Sequence, residues 1–528
     1  MVQSYKKQIQ IDEHYDAIII GSGIGGLTAG ALLAKEGWKV LILERHYTAG
    51  GFTHVFKRKG YEWDVGIHYI GEVQKPMSAV RKLFDYITDE NLKWADMGPV
   101  YDRIIIGEKS YDFVKGVDNF KRQLGEYFPE EKEAIASYVD LIFQSSKAMG
   151  KFYMDKAMPK MISKIVGGQM RKAYLKFSDQ TTYDVIRSLT KNEELIKVLC
   201  GQYGDYGLPP KQSSFAMHAT VVKHYFDGGS FPIGGSSQIV TTVEPIIERN
   251  GGSILVSAEV EQIVVERGKA TGVRMKDGKT ISAKKIISGA GVFNTYEKML
   301  SPELLTKHKL QENLKKVNPS VSHGCLYIGL NGSPEELKLP KTNLWIYPDD
   351  ADHDTCFDRY NKDLEQPFPL VYISFPSAKD PDWPNRYPGK STIDVITLLP
   401  FESVEKWQDS RWMKRGEEYD AFKEKITRRL LEVLFQQLPH LRNCIDHCEL
   451  STPLTTQYFA NYKSGELYGL DHTPERYRQK FLRPDTPIKN LYLTGQDIIT
   501  AGVGAALFGG LITASAITRK NFLKKIYE

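Results

Sequence analysis

The chain has 528 residues, 41% of them hydrophobic and 26% charged, with a formal net charge of +5. This is the composition of a globular protein too long for one ordinary core, so two interleaved domains are expected. The mild charge excludes any need for a nucleic-acid partner, and five cysteines without a CxxC argue against a disulfide scaffold and fit a reducing cytoplasm.

The polar stretch 1–15 has no apolar core of the signal-peptide kind. Ala17–Ile20 is a short apolar run of the type a buried parallel strand needs, and Gly21-Ser22-Gly23-Ile24-Gly25-Gly26 follows it directly. Gly21 permits a tight strand-to-helix turn, Gly23 leaves room for a pyrophosphate, and Gly26 lets the next helix pack closely on the sheet. The helix N-terminus supplies N–H donors and a favourable dipole for that diphosphate. A second strand, Val40–Leu43, ends at Glu44, whose carboxylate suits ribose hydroxyls. Strand, glycines, helix, strand and acid in order predict a dinucleotide-binding βαβ unit.

Two short strands, Val55–Lys57 and Tyr61–Val65, lead into Gly66-Ile67-His68-Tyr69. His68 and Tyr69 are candidates for proton transfer, although a histidine in such a turn equally bonds backbone. Tyr372, Tyr458 and His54 are weaker candidates of the same kind. Residues 86–224 read as longer helices with a hairpin around 104–113. Within 147–176, eight lysines and arginines recur at helical spacing among six Met and Phe residues, with Asp155 the sole acid. Such a segment suits a membrane interface, and equally a solvated charged face over a core stripe.

An α/β texture returns at Gly228-Gly229 and Gly234-Gly235. A helix is expected over 239–249, then strands at 253–256, 260–266, 270–275 and 280–287, the last two joined through Asp277-Gly278. Strands at 324–330, 370–375 and 392–398 and a helix at 419–438 fill the region 301–480. Cys444, His447 and Cys448 lie close together but lack the further ligands of a zinc site, and no metal is expected. Strand 490–494, Gly495-Gln496-Asp497 and the glycine-rich apolar stretch 501–517 close the chain. That stretch is short for a membrane span and reads as a buried helix. An acid at a strand end followed by a helix N-terminus suits a flavin's ribityl chain and pyrimidine edge, so the dinucleotide is read as FAD. Only one complete GxGxxG is present. Reducing equivalents are therefore expected from NAD(P)H bound transiently over the flavin or from an electron-donor protein.

The blocks Gly50-Gly51, Asp64–Gly71, Gly228–Ser237, Gly291–Tyr296 and Leu491–Asp497 resemble the carotenoid and retinoid oxidoreductase family, and most closely its retinol-saturase branch. The resemblance runs over nearly the whole chain. It implies an α/β (α+β overall) fold, with a Rossmann-like FAD domain of glutathione-reductase type interleaved with a mixed-sheet and helical substrate domain. The α/β texture along the chain divides it into 1–85, 225–300 and 481–528 for FAD, and 86–224 and 301–480 for a lipid substrate. The resemblance implies that Gly21, Ser22, Gly23, Gly26, Glu44, Arg45, Gly50, Gly51, Val260, Gly495, Asp497, Gly502 and Val503 line the FAD site. The implied activity is saturation of a carbon–carbon double bond in a hydrophobic polyene. Desaturation or isomerisation of a carotenoid is the alternative within the family. A lipid-carrying escort protein of the same fold is the alternative outside enzymes, and it would have lost the glycine motif that is intact here. The chain departs from the animal members in having no apolar targeting segment and in carrying Phe52-Thr53 where those look cysteine-rich. Both departures point to the cytoplasm, and the basic, Met-rich segment 147–176 to peripheral membrane contact.

Overall fold

The computed structural model describes residues 2–5, 11–12 and 14–528. The apolar run at Ala17–Ile20 lies inside a strand, His14–Ile20, that is a central one, with parallel strands paired at both edges and Ala17–Ile20 buried on both faces. Ile18 stands opposite Leu41 of Val40–Leu43 on one side and Ile286 of Thr280–Ser288 on the other. Ser253–Val256 and Gln3–Ser4 extend the sheet beyond Val40–Leu43, and the Lys269–Met275 and Val260–Glu266 meander extends it the other way. Leu491–Leu493, from the far end of the chain, adds in parallel to Thr280–Ser288. The mixed α/β class expected from the sequence is the one observed.

The helices that shape the site are α1 (Ile24–Lys35), α2 (Lys132–Ala157), α3 (Lys160–Ser178), α4 (Phe215–Tyr225) and α5 (Val503–Thr518). Helices α1 and α5 are built largely from small residues, which lets their backbones come close. A Cβ at Gly25 would sit 2.6 Å from the Cα of Gly495, and one at Gly510 would sit 2.5 Å from Cβ of Thr28. The apolar C-terminal stretch is thus a packed helix. Among the described residues no helix is long and apolar enough to cross a membrane.

A second, seven-stranded sheet runs Ile445–Ser451, His323–Asn331, Lys390–Leu398, Val371–Ser374, Asn343–Tyr347, Val100–Ile106 and Lys109–Val114. Helices α2, α3 and α4 pack on one another and share a hydrophobic cluster with Tyr101 and Ile104 of this sheet. The basic segment 147–176 is divided between α2 and α3, broken at Met158-Pro159. Arg483 closes the break by donating to the carbonyl oxygens of Asp155, Lys156 and Met158 at the end of α2. The segment is therefore not one uniform charged face. Lys156 is buried and donates to the carbonyl oxygen of Ile498 at 2.7 Å, and Asp155 is buried with Arg171 at 3.6 Å. The helical spacing of the lysines hid this, because one turn of the stripe packs inward against the last strand-turn-helix.

Candidate functional site

A groove of about 520 Å³ runs along the C-terminal edge of the first sheet, where a doubly wound fold places its ligand. Gly21, Gly23, Gly26, Glu44, Arg45, Gly51, Val260, Gly495, Gly502 and Val503 line it. Ser22 and Gly50 stand just behind. The Ser22 hydroxyl donates to Glu44 Oε2 at 2.8 Å and accepts from the N–H of Gly50 at 2.8 Å, so it ties the strand end, the acid and the Gly50-Gly51 loop together. Glu44 also accepts from the N–H groups of Ser22 and His46. A carboxylate has about four acceptor positions, so one is left for a hydroxyl.

The groove fits an extended dinucleotide. A Cβ at Gly23, Gly495 or Gly502 would meet no protein atom within 4 Å, so three backbones face open space from two sides. Arg45 Nε is buried without a partner at the groove wall, and so is Asn294 Oδ1. Asp497 is placed differently from its neighbours. Its Oδ2 accepts from the N–H of Val292 at 2.8 Å, and its buried Oδ1, beside Gly469, has no partner. It sits behind the groove wall and does not line it. Burial pushes its carboxyl upward.

A second cavity, of about 840 Å³, abuts the first. Val65, Gly66, His323, Leu467, Tyr468, Gly502 and Val503 line both, so the two spaces meet at one wall. The deep end is aromatic: Tyr69 stacks on Tyr225 at 4.1 Å, and Trp345 lies 4.4 Å from Tyr372. The outer end is formed by Met154, Met158 and Pro159 at the α2–α3 break, with Leu523 nearby.

His68 and Tyr69 both line this second cavity, on a wall of buried ionisable groups. His68 Nδ1 lies 3.3 Å from Asp394 Oδ2, and burial raises the Asp394 carboxyl. Tyr69 Oη is 3.0 Å from Asp102 Oδ2 and 3.0 Å from Asp205 Oδ2. Asp102 also accepts from Asn343 and Gln202. Lys379 donates to the carbonyl oxygen of His68, to Asn343 Oδ1 and to Ser374 Oγ, and burial brings its ammonium down to about 7. Asp64, held by the N–H of Ser236 at 2.7 Å, is pushed up by burial to about 7. Of the weaker candidates, Tyr372 lines the second cavity, His54 the first, and Tyr458 is half exposed.

Sequence reasoning missed His323, Asp205, Asp102, Lys379 and Asp394. Burial holds His323, which stands at the junction of the two cavities, down to about 4, so its ring is neutral. The available signal was ionisable residues within apolar runs, such as Asp102 before Ile104-Ile105-Ile106 and Asp394 inside Thr392–Leu398. Among the described residues no group of three His, Cys, Asp or Glu is placed to hold a metal.

Comparison with known proteins agrees with this geometry. The family model of flavin containing amine oxidoreductases matches residues 24–518. The all-trans-retinol 13,14-reductase of Danio rerio is 36% identical over 97% of this chain and 87% of its own length. The chloroplastic prolycopene isomerase of Arabidopsis thaliana is 26% identical over 97% of this chain and 84% of its own. Among solved structures, cyclohexylamine oxidase from Brevibacterium oxydans superposes with a TM-score of 0.63 at 15% identity, covering 97% of this chain and 100% of that one, which shows a shared fold.

Proposed function

The chain belongs to the family of flavin-containing amine oxidoreductases, in its all-trans-retinol 13,14-reductase branch, and from that premise we propose that it saturates a double bond of a hydrophobic polyene such as retinol. It is an FAD-dependent oxidoreductase. The observation that carries the substrate reading is the second cavity, large, mostly apolar and aromatic, and sharing one wall with the dinucleotide groove.

In this reading ten of the thirteen residues named from the sequence line the FAD groove, and Ser22, Gly50 and Asp497 support it from behind. Gly23, Gly51, Gly495 and Gly502 admit the diphosphate and the flavin edge, Glu44 takes the ribose, and Asp497 supports the ribityl side from behind Val292. Bound there, the flavin supplies hydride chemistry at the shared wall. The chain's own residues do the rest. Tyr225, Trp345 and Tyr372 grip the polyene and exclude water, and the wall carrying His68 and Tyr69 provides the proton. NAD(P)H or an electron-donor protein would supply the reducing equivalents. We assign 1–85, 225–300 and 481–528 to the FAD-binding unit and the remainder to the substrate unit.

The outer end of the cavity opens beside α3, where Met161 and Ile165 are 80% and 84% exposed and Ile162 and Leu523 are also exposed. An apolar face edged by Lys160, Lys164 and Lys520 suits the surface of an anionic membrane from which a lipid could enter. Lys156 takes no part, being buried.

Anaerobic mixing of photoreduced holoenzyme with all-trans-retinol tests the activity. The expected result is flavin reoxidation together with a product heavier by two hydrogens. A flavin that stays reduced with retinol and with carotenoids overturns the proposal, and an isomerised product of unchanged mass replaces it with the isomerase reading.

A further inference from the structure

Tyr69 stands between two carboxyl groups, and counting protons among the three decides what each one is. A phenol has a single proton to donate. Its oxygen lies 3.0 Å from both Asp102 Oδ2 and Asp205 Oδ2, so one of those contacts is a carboxylic acid donating to the phenol oxygen. Asp102, fully buried, is the carboxylate with more hydrogen-bond donors. It accepts from the amide of Asn343 at 2.9 Å and from the amide of Gln202 at 2.8 Å, as well as from Tyr69. Asn343 is oriented by Lys379, whose three donors are all used, on Asn343, the His68 carbonyl and Ser374. Lys379, the Asn343 amide and Asp102 thus follow in series, and with two amide donors aimed at it the negative charge belongs on Asp102. Tyr69 is the hydrogen-bond partner of the Asp205 carboxyl. That residue closes the short turn Tyr203–Asp205 and keeps partial exposure because it faces the substrate cavity.

We propose that Asp205 is held as a neutral carboxylic acid by the Tyr69 hydroxyl and is the catalytic residue that protonates the polyene. This rests on the reductase reading of the site. The other groups around Asp205 are the phenols Tyr225, Tyr347, Tyr372 and Tyr468, while Lys379 connects to it through Asn343, Asp102 and Tyr69. Burial and the neighbouring Asp102 raise the Asp205 carboxyl well above the usual carboxylate range, in keeping with this assignment. In the reaction the double bond opens. One carbon would take the hydride that a bound reduced flavin supplies, and its neighbour takes the Asp205 proton. The hydride carries both electrons and one hydrogen, and Asp205 gives the second hydrogen as a proton. Asp205 remains as a carboxylate and regains its proton from water after product leaves. Tyr69 is a positioning residue, turning its one proton between the two carboxylates.

Infrared spectroscopy of the FAD-loaded protein should show a carboxylic-acid carbonyl stretch that is lost in Asp205→Asn. In Tyr69→Phe the band should persist but move to higher frequency, because the acid has lost its acceptor. Asp205→Asn should still bind retinol, seen as quenching of protein fluorescence. Its reduced flavin should reoxidise about 100-fold more slowly than wild type, the size of a general acid's contribution, with partial recovery in Asp205→Glu. Survival of the same band in Asp205→Asn, or reoxidation within about threefold of wild type, overturns the proposal. If retinol fails to reoxidise the wild-type flavin, the substrate reading fails separately, and the infrared band alone decides the state of Asp205. Should Asp205→Asn not fold, the frequency change in Tyr69→Phe decides it, and an unmoved band overturns the assignment.

Discussion

A Cβ at Gly23 would meet only open groove, whereas one at Gly26 would sit 2.3 Å from the carbonyl oxygen of Gly21 and 3.2 Å from the Ile19 side chain. The two glycines look alike in the motif but face different surroundings, and in the proposed FAD site one serves the ligand and the other the protein. Gly23 also has ordinary backbone angles, φ −59° and ψ 163°, so a side chain there causes no strain. Gly23→Val should therefore fold as wild type while losing its flavin, since the added methyls occupy the diphosphate's space. Gly26→Ala should lose stability by about 1–3 kcal/mol from overpacking against a backbone atom that cannot move aside. Denaturant midpoints and flavin absorbance per protein check both. A yellow Gly23→Val or an undisturbed Gly26→Ala contradicts the division of labour. Single residues of this kind were legible from the sequence because the motif's geometry is local. Asp205 was not, because its meaning depends on Tyr69 and Asp102, about a hundred positions away or more.

Helices α2 and α3 show where reading by period stops working. The periodicity of 147–176 showed that basic and apolar residues alternate on helices, but not that Arg483, more than three hundred positions later, would cap the end of α2 and draw Lys156 inward. What remains outside is the face of α3 bearing Met161, Ile165 and Lys164. Burying one large apolar side chain is worth about 1.5–3 kcal/mol, and one lysine near an anionic surface about 1 kcal/mol. The apolar residues should therefore dominate attachment. Met161→Glu with Ile165→Glu should lower partition onto anionic vesicles by about 100-fold or more, with Lys164→Gln lowering it about fivefold. Both variants should keep the wild-type melting temperature, because the altered side chains touch little of the protein. Equal partition of all three proteins would return α3 to an ordinary solvated surface. The motif blocks at 64–71 and 228–237 also gain a reason at this scale. Asp64 accepts from the N–H of Ser236, and Ile70-Gly71 pairs with Gly229-Ser230, so each block holds the other beside the cavity junction.

Across the whole molecule, the strands around the dinucleotide groove were legible because buried parallel strands are short apolar runs with glycine turns at their ends. The polar wall of the second cavity was not, since charged residues inside the second sheet are paired by folding and leave no local pattern. The groove itself is a product of the whole chain. Its walls come from 20–66, 258–299, 323–327, 412–468 and 495–506, so the ligand touches parts that only the native fold brings together. A ligand held that way binds the folded state and not the unfolded chain, and it stabilises by about 2.7 kcal/mol when free FAD stands a hundredfold above its Kd. With an unfolding entropy near 2.1 cal/mol/K per residue, 528 residues give about 1.1 kcal/mol per degree, so stripping the flavin should lower Tm by about 2–3 °C if unfolding is cooperative. Returning FAD should restore the difference in wild type. Gly23→Val should melt with the stripped wild type and gain nothing from added FAD, because its fold is complete and only its ligand is missing. A stripped protein that melts with the holoenzyme would mean that the groove's distant walls are not joined by the dinucleotide.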